Sequence, residues 1–194
     1  MMSSEQIIRV PLERVGALVG KEGNVKAEIE RRCGVAIEID GKTGETKIAY
    51  QPDALLESKP FKASDIVSAI ARGFSPHRAF SLLEEEKMLS VIDLREYSGK
   101  SENAILRIKS RLIGTDGKAR KIIEELSGSQ VSIYGHTVAL IGDQDASKVA
   151  KEAIDKLAKG GTHKATYQML QKYRSKQKLE RMQLWESQRP PEES

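Results

Sequence analysis

Two short strings bounded by glycine carry the residue types that hold phosphate through the main chain. They are GKEG at 20–23 and GTDG at 114–117. Glycine lets the chain turn sharply and approach a ligand closely, because it has no Cβ. A helix that begins directly after such a loop adds unpaired N–H groups and the positive end of its dipole. The two strings therefore predict two loops that bind phosphate with backbone amides.

The residues around the two loops are repeated as well. Like residues recur at a constant spacing of 94 positions, as in Leu18 and Leu112, Ile29 and Ile123, Gly34 and Gly128, and Ile39 and Ile133. A repeat of this length has the size of a domain and is too long for a solenoid unit. We therefore expect two tandem domains, at 1–84 and 85–161, followed by a basic C-terminal helix and tail at 162–194.

Hydrophobic spacing gives the two copies the same order of elements. The first copy is predicted to contain a strand that ends at Pro11, a helix up to Gly20, the loop, a helix ended by Gly34, strands at 35–39 and 46–50, a Pro-containing connection at 51–60, and a helix at 63–72. The second is predicted to contain a strand at 88–94, a polar insert at 95–102, a helix up to 113, the loop, a helix from 119, strands at 131–133 and 138–141, and a helix at 146–159.

A further helix is expected after each copy. Ser75 and Thr162 are candidate N-caps for helices at 79–83 and 165–170. The predicted fold class is α/β of the α+β kind, in which each copy has a three-stranded antiparallel sheet covered by helices.

Composition narrows the class of protein. Of 194 residues, 39% are hydrophobic and 31% are charged, which is typical of a globular protein with a highly charged surface. No apolar run approaches the roughly 18 residues of a membrane span, and the first residues lack a secretory pattern, so a cytoplasmic location is expected. The single cysteine, Cys33, excludes an intrachain disulfide and a cysteine zinc site, and we expect it to be a small packing residue.

The sequence contains no pattern typical of catalysis. His77, His136 and His163 are scattered without the spacing of metal ligands, so no metal, no cofactor and no catalytic centre are expected. The string GALVGK at 16–21 is one residue shorter than a P-loop and lacks the following Ser or Thr, which argues against nucleotide hydrolysis. We therefore expect a binding protein, monomeric, and not an enzyme.

The order strand, helix, GxxG, helix, strand, strand, helix resembles the type I KH domain, a module that binds single-stranded nucleic acid. In that module the loop clamps the backbone of four nucleotides. The resemblance implies grooves lined by Leu18, Val19, Val25, Ile29 and Ile37 in the first copy and by Leu112, Ile113, Ala119, Ile122 and Val131 in the second. The deeper residues, such as Ile29 and Ile123, are expected to belong to the core instead.

Longer strings resemble the archaeal and eukaryotic family of double-KH small-subunit ribosome-assembly factors, the partner-of-Nob or Dim-type proteins. These strings are IARGFSP at 70–76, IDLREYSGKSENA at 92–104, RLIGTDGKAR at 111–120 and IYGHTVALIG at 133–142. The resemblance implies a factor in rRNA processing that grips single-stranded small-subunit rRNA near its 3′ end. It also implies a PIN-domain endonuclease and a translation initiation factor subunit as partners.

The sequence departs from this family in the second loop, where Thr115 and Asp116 stand and the family commonly has a basic residue. Two alternatives to a ribosome-assembly factor stay open. One is a general double-KH RNA-binding regulator or RNA-degradation accessory, and the other is a KH fold recruited mainly as a protein-binding adaptor.

The two loop regions differ in charge. Between 107 and 121 six basic residues face one acid, whereas between 9 and 32 six basic residues face four acids. Phosphate neutralisation dominates non-specific affinity for nucleic acid, so the second copy is expected to be the primary grip and the first a weaker grip or partly a protein-docking face. The candidate RNA-binding residues are Gly20, Lys21, Glu22, Gly23 and Lys26 in the first copy and Arg107, Arg111, Gly114, Thr115, Asp116, Gly117, Lys118, Arg120 and Lys121 in the second.

The segment 162–189 is also basic, with seven Lys or Arg against two Glu. An imperfect apolar stripe through Leu170, Tyr173 and Met182 predicts a long helix that ends before Pro190. This helix is expected either to contact RNA or a partner, with Trp185 as a candidate anchor, or to pack on the second domain.

Overall fold

The computed structural model describes residues 4–50, 59–99 and 101–187. The first copy contains a three-stranded antiparallel sheet in the order β1-β3-β2. Its elements are β1 (Ser4–Arg9), α1 (Leu12–Val19), a 3₁₀ turn (Lys21–Gly23), α2 (Asn24–Cys33), β2 (Ala36–Ile39), β3 (Glu45–Tyr50), α3 (Pro60–Ala71), α4 (Pro76–Ala79) and a second 3₁₀ turn (Phe80–Leu83).

The second copy contains another three-stranded antiparallel sheet, in the corresponding order β4-β6-β5. Its elements are β4 (Met88–Asp93), α5 (Arg95–Ser98), α6 (Glu102–Ile113), a 3₁₀ turn (Thr115–Gly117), α7 (Lys118–Ser127), β5 (Gln130–Tyr134), β6 (Thr137–Gly142), α8 (Gln144–Ala158) and α9 (His163–Ser187). The predicted fold class, with its two antiparallel sheets, is confirmed.

Local sequence signals explain where several elements begin and end. Gly34 and Gly128 end α2 and α7 in the left-handed conformation, with φ of 64° and 83°. Pro11 stands between β1 and α1, where a residue without an N–H cannot continue the sheet ladder. Asp40 closes the turn between β2 and β3 by accepting hydrogen bonds from the Lys42 N–H and the Thr43 hydroxyl.

Two segments differ from the prediction. The helix predicted at 79–83 is α4 followed by a 3₁₀ turn, because Ser75 caps the N-terminus and Pro76 occupies the first helical position three residues earlier. The polar insert at 95–102 begins as the short helix α5. The predicted connection at 51–60 falls largely on 51–58, which lie outside the described residues.

The chain divides into two compact units. The first consists of 1–93 and 130–144 and contains both sheets, whereas the second consists of 94–129 and 145–194. The domain boundaries expected from the repeat stay a prediction, because a unit defined by its contacts need not fold alone.

The first unit has a continuous apolar core. Buried residues of α1, α2 and α3 share it with residues of both sheets, including Cys33, Ile48, Phe74, Ala139 and Ile141. Cys33 is 1% exposed, in agreement with its predicted role in packing. In the second unit, Ala150, Ala153, Ile154 and Leu157 of α8 are fully buried. Within the described part of the chain, no helix is both long and apolar enough to cross a membrane.

Candidate nucleic-acid interface

The two glycine loops have the same backbone conformation. The first glycine has φ/ψ of 76°/177° at Gly20 and 69°/179° at Gly114. The third residue, Glu22 or Asp116, is left-handed, with φ of 54° and 53°. The N–H of the fourth residue donates to the carbonyl of the first over 3.3 Å in both loops. The predicted repeat is therefore a repeat of loop geometry as well as of sequence.

The two glycines within each loop meet different requirements. A Cβ on Gly20 would lie 2.4 Å from Cγ2 of Val25, and a Cβ on Gly114 would lie 2.7 Å from Cβ of Ala119. A Cβ on Gly23 or Gly117 would meet no atom within 4 Å. The first glycine thus permits close packing of the loop against the following helix, and the second leaves an open surface at the helix N-terminus.

The first glycine therefore has a packing role that the sequence did not reveal. An added Cβ would find free space only at the second glycine of each loop. The first also adopts a conformation with positive φ and ψ near 180° that is essentially restricted to glycine.

The helices that follow the loops begin without a side-chain cap. Their N-cap residues are Gly23 and Gly117, and neither α2 nor α7 has an acidic residue in its first turn. The first-turn N–H groups and the positive end of the helix dipole are therefore not neutralised by the helix itself. This arrangement suits an anionic ligand such as a phosphate group.

The first turn of α7 adds positive charge to this end of the helix. Lys118 and Lys121 are exposed, and Arg120 is half-buried. The Nε of Arg120 is buried and has no hydrogen-bond partner among the residues that the structure describes. Cations at a helix N-terminus oppose the dipole, so their presence here is not explained by helix stability.

The other predicted cations of the second copy have separate environments. Arg107 is exposed on α6. Arg111 donates from Nε to the carbonyl of Leu157 over 3.2 Å and from Nη2 to the carbonyl of Gly161. Its guanidinium therefore ties α6 to the C-terminal end of α8.

Arg14 makes the corresponding connection in the first copy. It donates from Nε to the carbonyl of Ile70 over 2.9 Å and from Nη2 to that of Phe74 over 2.6 Å. Both arginines bind two carbonyls spaced four residues apart, where the closing helix of each copy ends. Sequence reasoning missed this role, because the partners lie between 46 and 60 residues away.

The cations of α2 are largely paired with acids of the same helix. Glu28 accepts from Arg31 and Arg32, and these hydrogen bonds hold the pKa of Glu28 below its usual value. Lys26 lies 3.9 Å from a carboxylate oxygen of Glu30. The first loop thus has less unpaired positive charge beside it than the second has.

Comparisons with known proteins agree with this geometry. A model of the eukaryotic type KH-domain (KH-domain type I) matches residues 88–175, and a KH domain model matches residues 4–53. A KH domain-containing protein of Methanocaldococcus jannaschii is 44% identical over 183 residues, which cover 94% of this chain and 79% of that protein. The chain belongs to the KH-domain family.

Within this family the chain is related to the PNO1 and Dim2 proteins. The RNA-binding protein pno1 of Dictyostelium discoideum is 23% identical over 169 residues, which cover 86% of this chain and 71% of that protein. The crystal structure of an a/eIF2α–aDim2p–rRNA complex from Pyrococcus horikoshii OT3 contains a chain that is 42% identical and superposes with a TM-score of 0.82. That match covers 90% of this chain and 96% of that chain. The resemblance to partner-of-Nob and Dim-type proteins is therefore confirmed.

Fewer of the residues expected to line a groove in the first copy are accessible than the sequence predicted. Val19 and Val25 are half-buried, but Leu18, Ile29 and Ile37 are at most 1% exposed. These three side chains belong to the core of the first unit, as was expected for Ile29.

The residues expected in the second KH groove divide in the same way. Ile113 is exposed and Ile122 is half-buried, whereas Leu112, Ala119 and Val131 are at most 2% exposed. The accessible apolar positions are those that directly flank the loop or lie one turn into α7.

Helix α9 extends along α7. Thr166 and Leu170 are fully buried, and Arg174 donates from Nη1 to the carbonyl of Glu125 at the end of α7. Farther along, Leu179 and Met182 are more than half exposed. The first half of α9 therefore packs in the second unit. This agrees with the prediction that the helix packs on the second domain. The role of Trp185 as an anchor stays a prediction.

Within the described ranges, no group of three or more His, Cys, Asp or Glu residues is arranged to hold a metal ion. The string GALVGK is not a phosphate loop, because Gly16 lies inside α1.

Proposed function

We propose that this chain is an RNA-binding factor of small ribosomal subunit biogenesis that grips single-stranded rRNA near its 3′ end. The observation that carries this proposal is the pair of GxxG loops, which have one backbone conformation and lead into helices with uncapped N-termini. The relationship to PNO1 and Dim2 proteins supports the ribosomal target, since one related structure is a complex with rRNA.

The second KH copy is the stronger grip in this proposal. The first-turn amides of α7 and the exposed Lys118 and Lys121 bind successive phosphates, with Arg107 and Arg120 adding to the local positive charge. Thr115 and Asp116 contribute their backbone to the loop and bring no cation. Bases lie against the accessible apolar side chains of Ile113 and Ile122 and gain from leaving water.

The first KH copy, with Gly20, Lys21, Glu22, Gly23 and Lys26, is a weaker RNA contact or in part a docking face for protein. Its helix cations are paired with Glu28 and Glu30, which lowers the charge available to phosphate. The proposed protein partners are a translation initiation factor subunit, in line with the a/eIF2α complex of the related structure, and a PIN-domain endonuclease. The proposed factor is monomeric, cytoplasmic and without catalytic activity.

Aspartate substitutions in the two loops test the proposal and the ranking together. Thr115→Asp changes the charge of the second loop by one unit, whereas the double change Lys21→Asp with Glu22→Asp changes that of the first loop by two. We expect the single change to weaken binding of a 12-nucleotide RNA with the 3′ sequence of the small-subunit rRNA by about tenfold, because added negative charge opposes phosphate at the α7 N-terminus. The double change is expected to have the smaller effect.

The measurement is fluorescence anisotropy at fixed salt, with a scrambled RNA of equal length beside the ribosomal one. Lys151→Asp, on the exposed side of α8, serves as a control for charge change elsewhere. Equal affinity of the wild type and the second-loop variant would refute the proposed grip. Equal affinity for both RNA sequences would favour a general RNA-binding regulator instead.

A further inference from the structure

A cleft in the first unit lies away from the first GxxG loop, at the opposite end of α1. It has a volume of about 330 Å³ and is lined by Arg9, Glu13, Arg72, Tyr134 and His136, among others. Helix α1 has eight residues and is therefore about 12 Å long, so the cleft is separate from the loop at 20–23.

The walls of the cleft are held in place by specific contacts. The Ser132 hydroxyl donates to the carbonyl of Arg72 over 2.9 Å. Gly73 has φ of 94°, and a Cβ there would lie 2.8 Å from Oγ of Ser132 and 2.8 Å from Cβ of Tyr134. The Tyr134 hydroxyl donates to the carboxylate of Glu13. The turn between β5 and β6 is thus fixed against the end of α3 and the start of α1.

Glu13, the acid that lines the cleft, already accepts a hydrogen bond from Tyr134. Burial and the hydrogen bond to Glu13 raise the pKa of Tyr134, so this hydroxyl remains a donor to the Glu13 carboxylate at neutral pH. The guanidinium of Arg14 lies 6.0 Å from the Tyr134 ring centre and is engaged by two carbonyls. His136 has Asp93 as a neighbour, with 3.9 Å between Nε2 and Oδ2.

Arg9 and Arg72 are different, because their guanidinium groups have no hydrogen bond or ion pair to any residue that the structure describes. Arg72 is half-buried, and a charge that loses water without gaining a partner raises the free energy of the folded state. An anion in the cleft would remove this cost.

We propose that the cleft binds a phosphate group, either of an RNA strand that continues past α1 or of a free nucleotide. Two guanidinium groups provide planar, bidentate donors that match phosphate oxygens, and the imidazole of His136 adds a third donor. The volume is at the lower end of small-ligand sites, which fits one phosphate with part of its sugar and is too small for a helix.

If the phosphate belongs to an RNA strand, the inference rests on the proposed function. If it belongs to a free nucleotide, the inference is independent of that function. The test compares the full chain with the double variant Arg9→Gln, Arg72→Gln and with a matched control, Lys148→Gln, Lys151→Gln, on the exposed side of α8. Because neither guanidinium group has a partner among the residues that the structure describes, the double variant is expected to keep the wild-type urea unfolding curve. The single variant Arg9→Gln, at an exposed position, is the second test if it does not.

The first measurement is an NMR titration with inorganic phosphate at constant ionic strength, with chloride as reference. We expect saturable shifts at the amides of Gly135 and His136 and at the Nε–H of Arg72, lost in the double variant and kept in the control. Shifts that follow ionic strength alone, without saturation, would overturn the proposal.

The second measurement is RNA affinity over a salt series. Loss of one phosphate contact is expected to weaken binding three- to tenfold and to reduce the slope of log K against log salt by about 0.7. If the double variant loses the shifts caused by phosphate but keeps the wild-type RNA affinity, the phosphate bound in the cleft comes from a free nucleotide and not from RNA. If the loop variant Thr115→Asp loses RNA binding while the cleft variant matches its control in both measurements, the cleft proposal fails and the proposed function stands. If the wild type binds no RNA, the proposed function fails and the phosphate titration alone decides the cleft.

Discussion

The conformation of single residues explains why each loop needs two glycines. Gly20 combines positive φ with ψ near 180°, and its hydrogen atoms face Val25 at a distance that admits no methyl group. Gly16, four residues earlier, lies inside α1 with no atom within 4 Å of an added Cβ. The same substitution should therefore have opposite effects at these two positions.

We expect Gly20→Ala to lower the free energy of unfolding by about 2–4 kcal/mol, because it adds both a clash and a strained backbone. Gly16→Ala is expected to raise it by about 0.5–1 kcal/mol, since alanine is the better residue in a helix interior. Urea denaturation of both variants measures the difference. Similar destabilisation by both would contradict the steric explanation.

Helix α7 has charges in its first turn that lower the stability of the helix. Its first turn carries Lys118, Arg120 and Lys121 beside the positive end of the dipole and has no acid to offset them. Such charges destabilise an isolated helix, so binding of an anion is the simplest reason for their position.

Lys118→Glu should therefore separate stability from binding. We expect the free protein to gain about 0.3–1 kcal/mol at low salt, because an acid at this end favours the dipole. RNA affinity is expected to fall at least tenfold, because the substitution replaces a phosphate-binding cation with a negative charge. Thermal unfolding and anisotropy on the same samples provide the two values, with Lys151→Glu in the middle of α8 as control. A variant that loses stability and affinity together would refute this account of α7.

Elements were predictable from sequence where the signal is local. The glycines that end α2 and α7, the alternating strands, and the loops at a constant spacing of 94 residues all act within a few positions of the chain. Arg14 and Arg111 were not predictable as ties between helices, because their carbonyl partners come from distant segments. For the same reason, the sequence did not separate Leu18 and Ile37, which are in the core, from Val19 and Val25, which are accessible.

At the scale of the whole molecule, the repeat in sequence does not correspond to a repeat in packing. The core of the first unit joins the first sheet and its helices to Leu89, Ala139 and Ile141 of the second sheet. Residues from both copies therefore contribute to one buried cluster. A destabilising substitution in the second sheet should therefore also lower the stability of the first copy.

Cys33 offers a direct measurement of this coupling. It lies on α2 in the first copy, and burial raises the pKa of its thiol, so labelling by a thiol reagent requires the core to open. Ile141→Ala removes a side chain that is 1% exposed from the same cluster and should cost about 2–4 kcal/mol. If the cluster opens as one unit, labelling of Cys33 should accelerate by about thirtyfold to several hundredfold, because each 1.4 kcal/mol is a factor of ten. As a control, Val91→Ala changes a residue of β4 that is 45% exposed, and it should leave the labelling rate of Cys33 nearly unchanged. Unchanged Cys33 labelling in a destabilised Ile141→Ala protein would mean instead that the first copy opens independently of the second sheet.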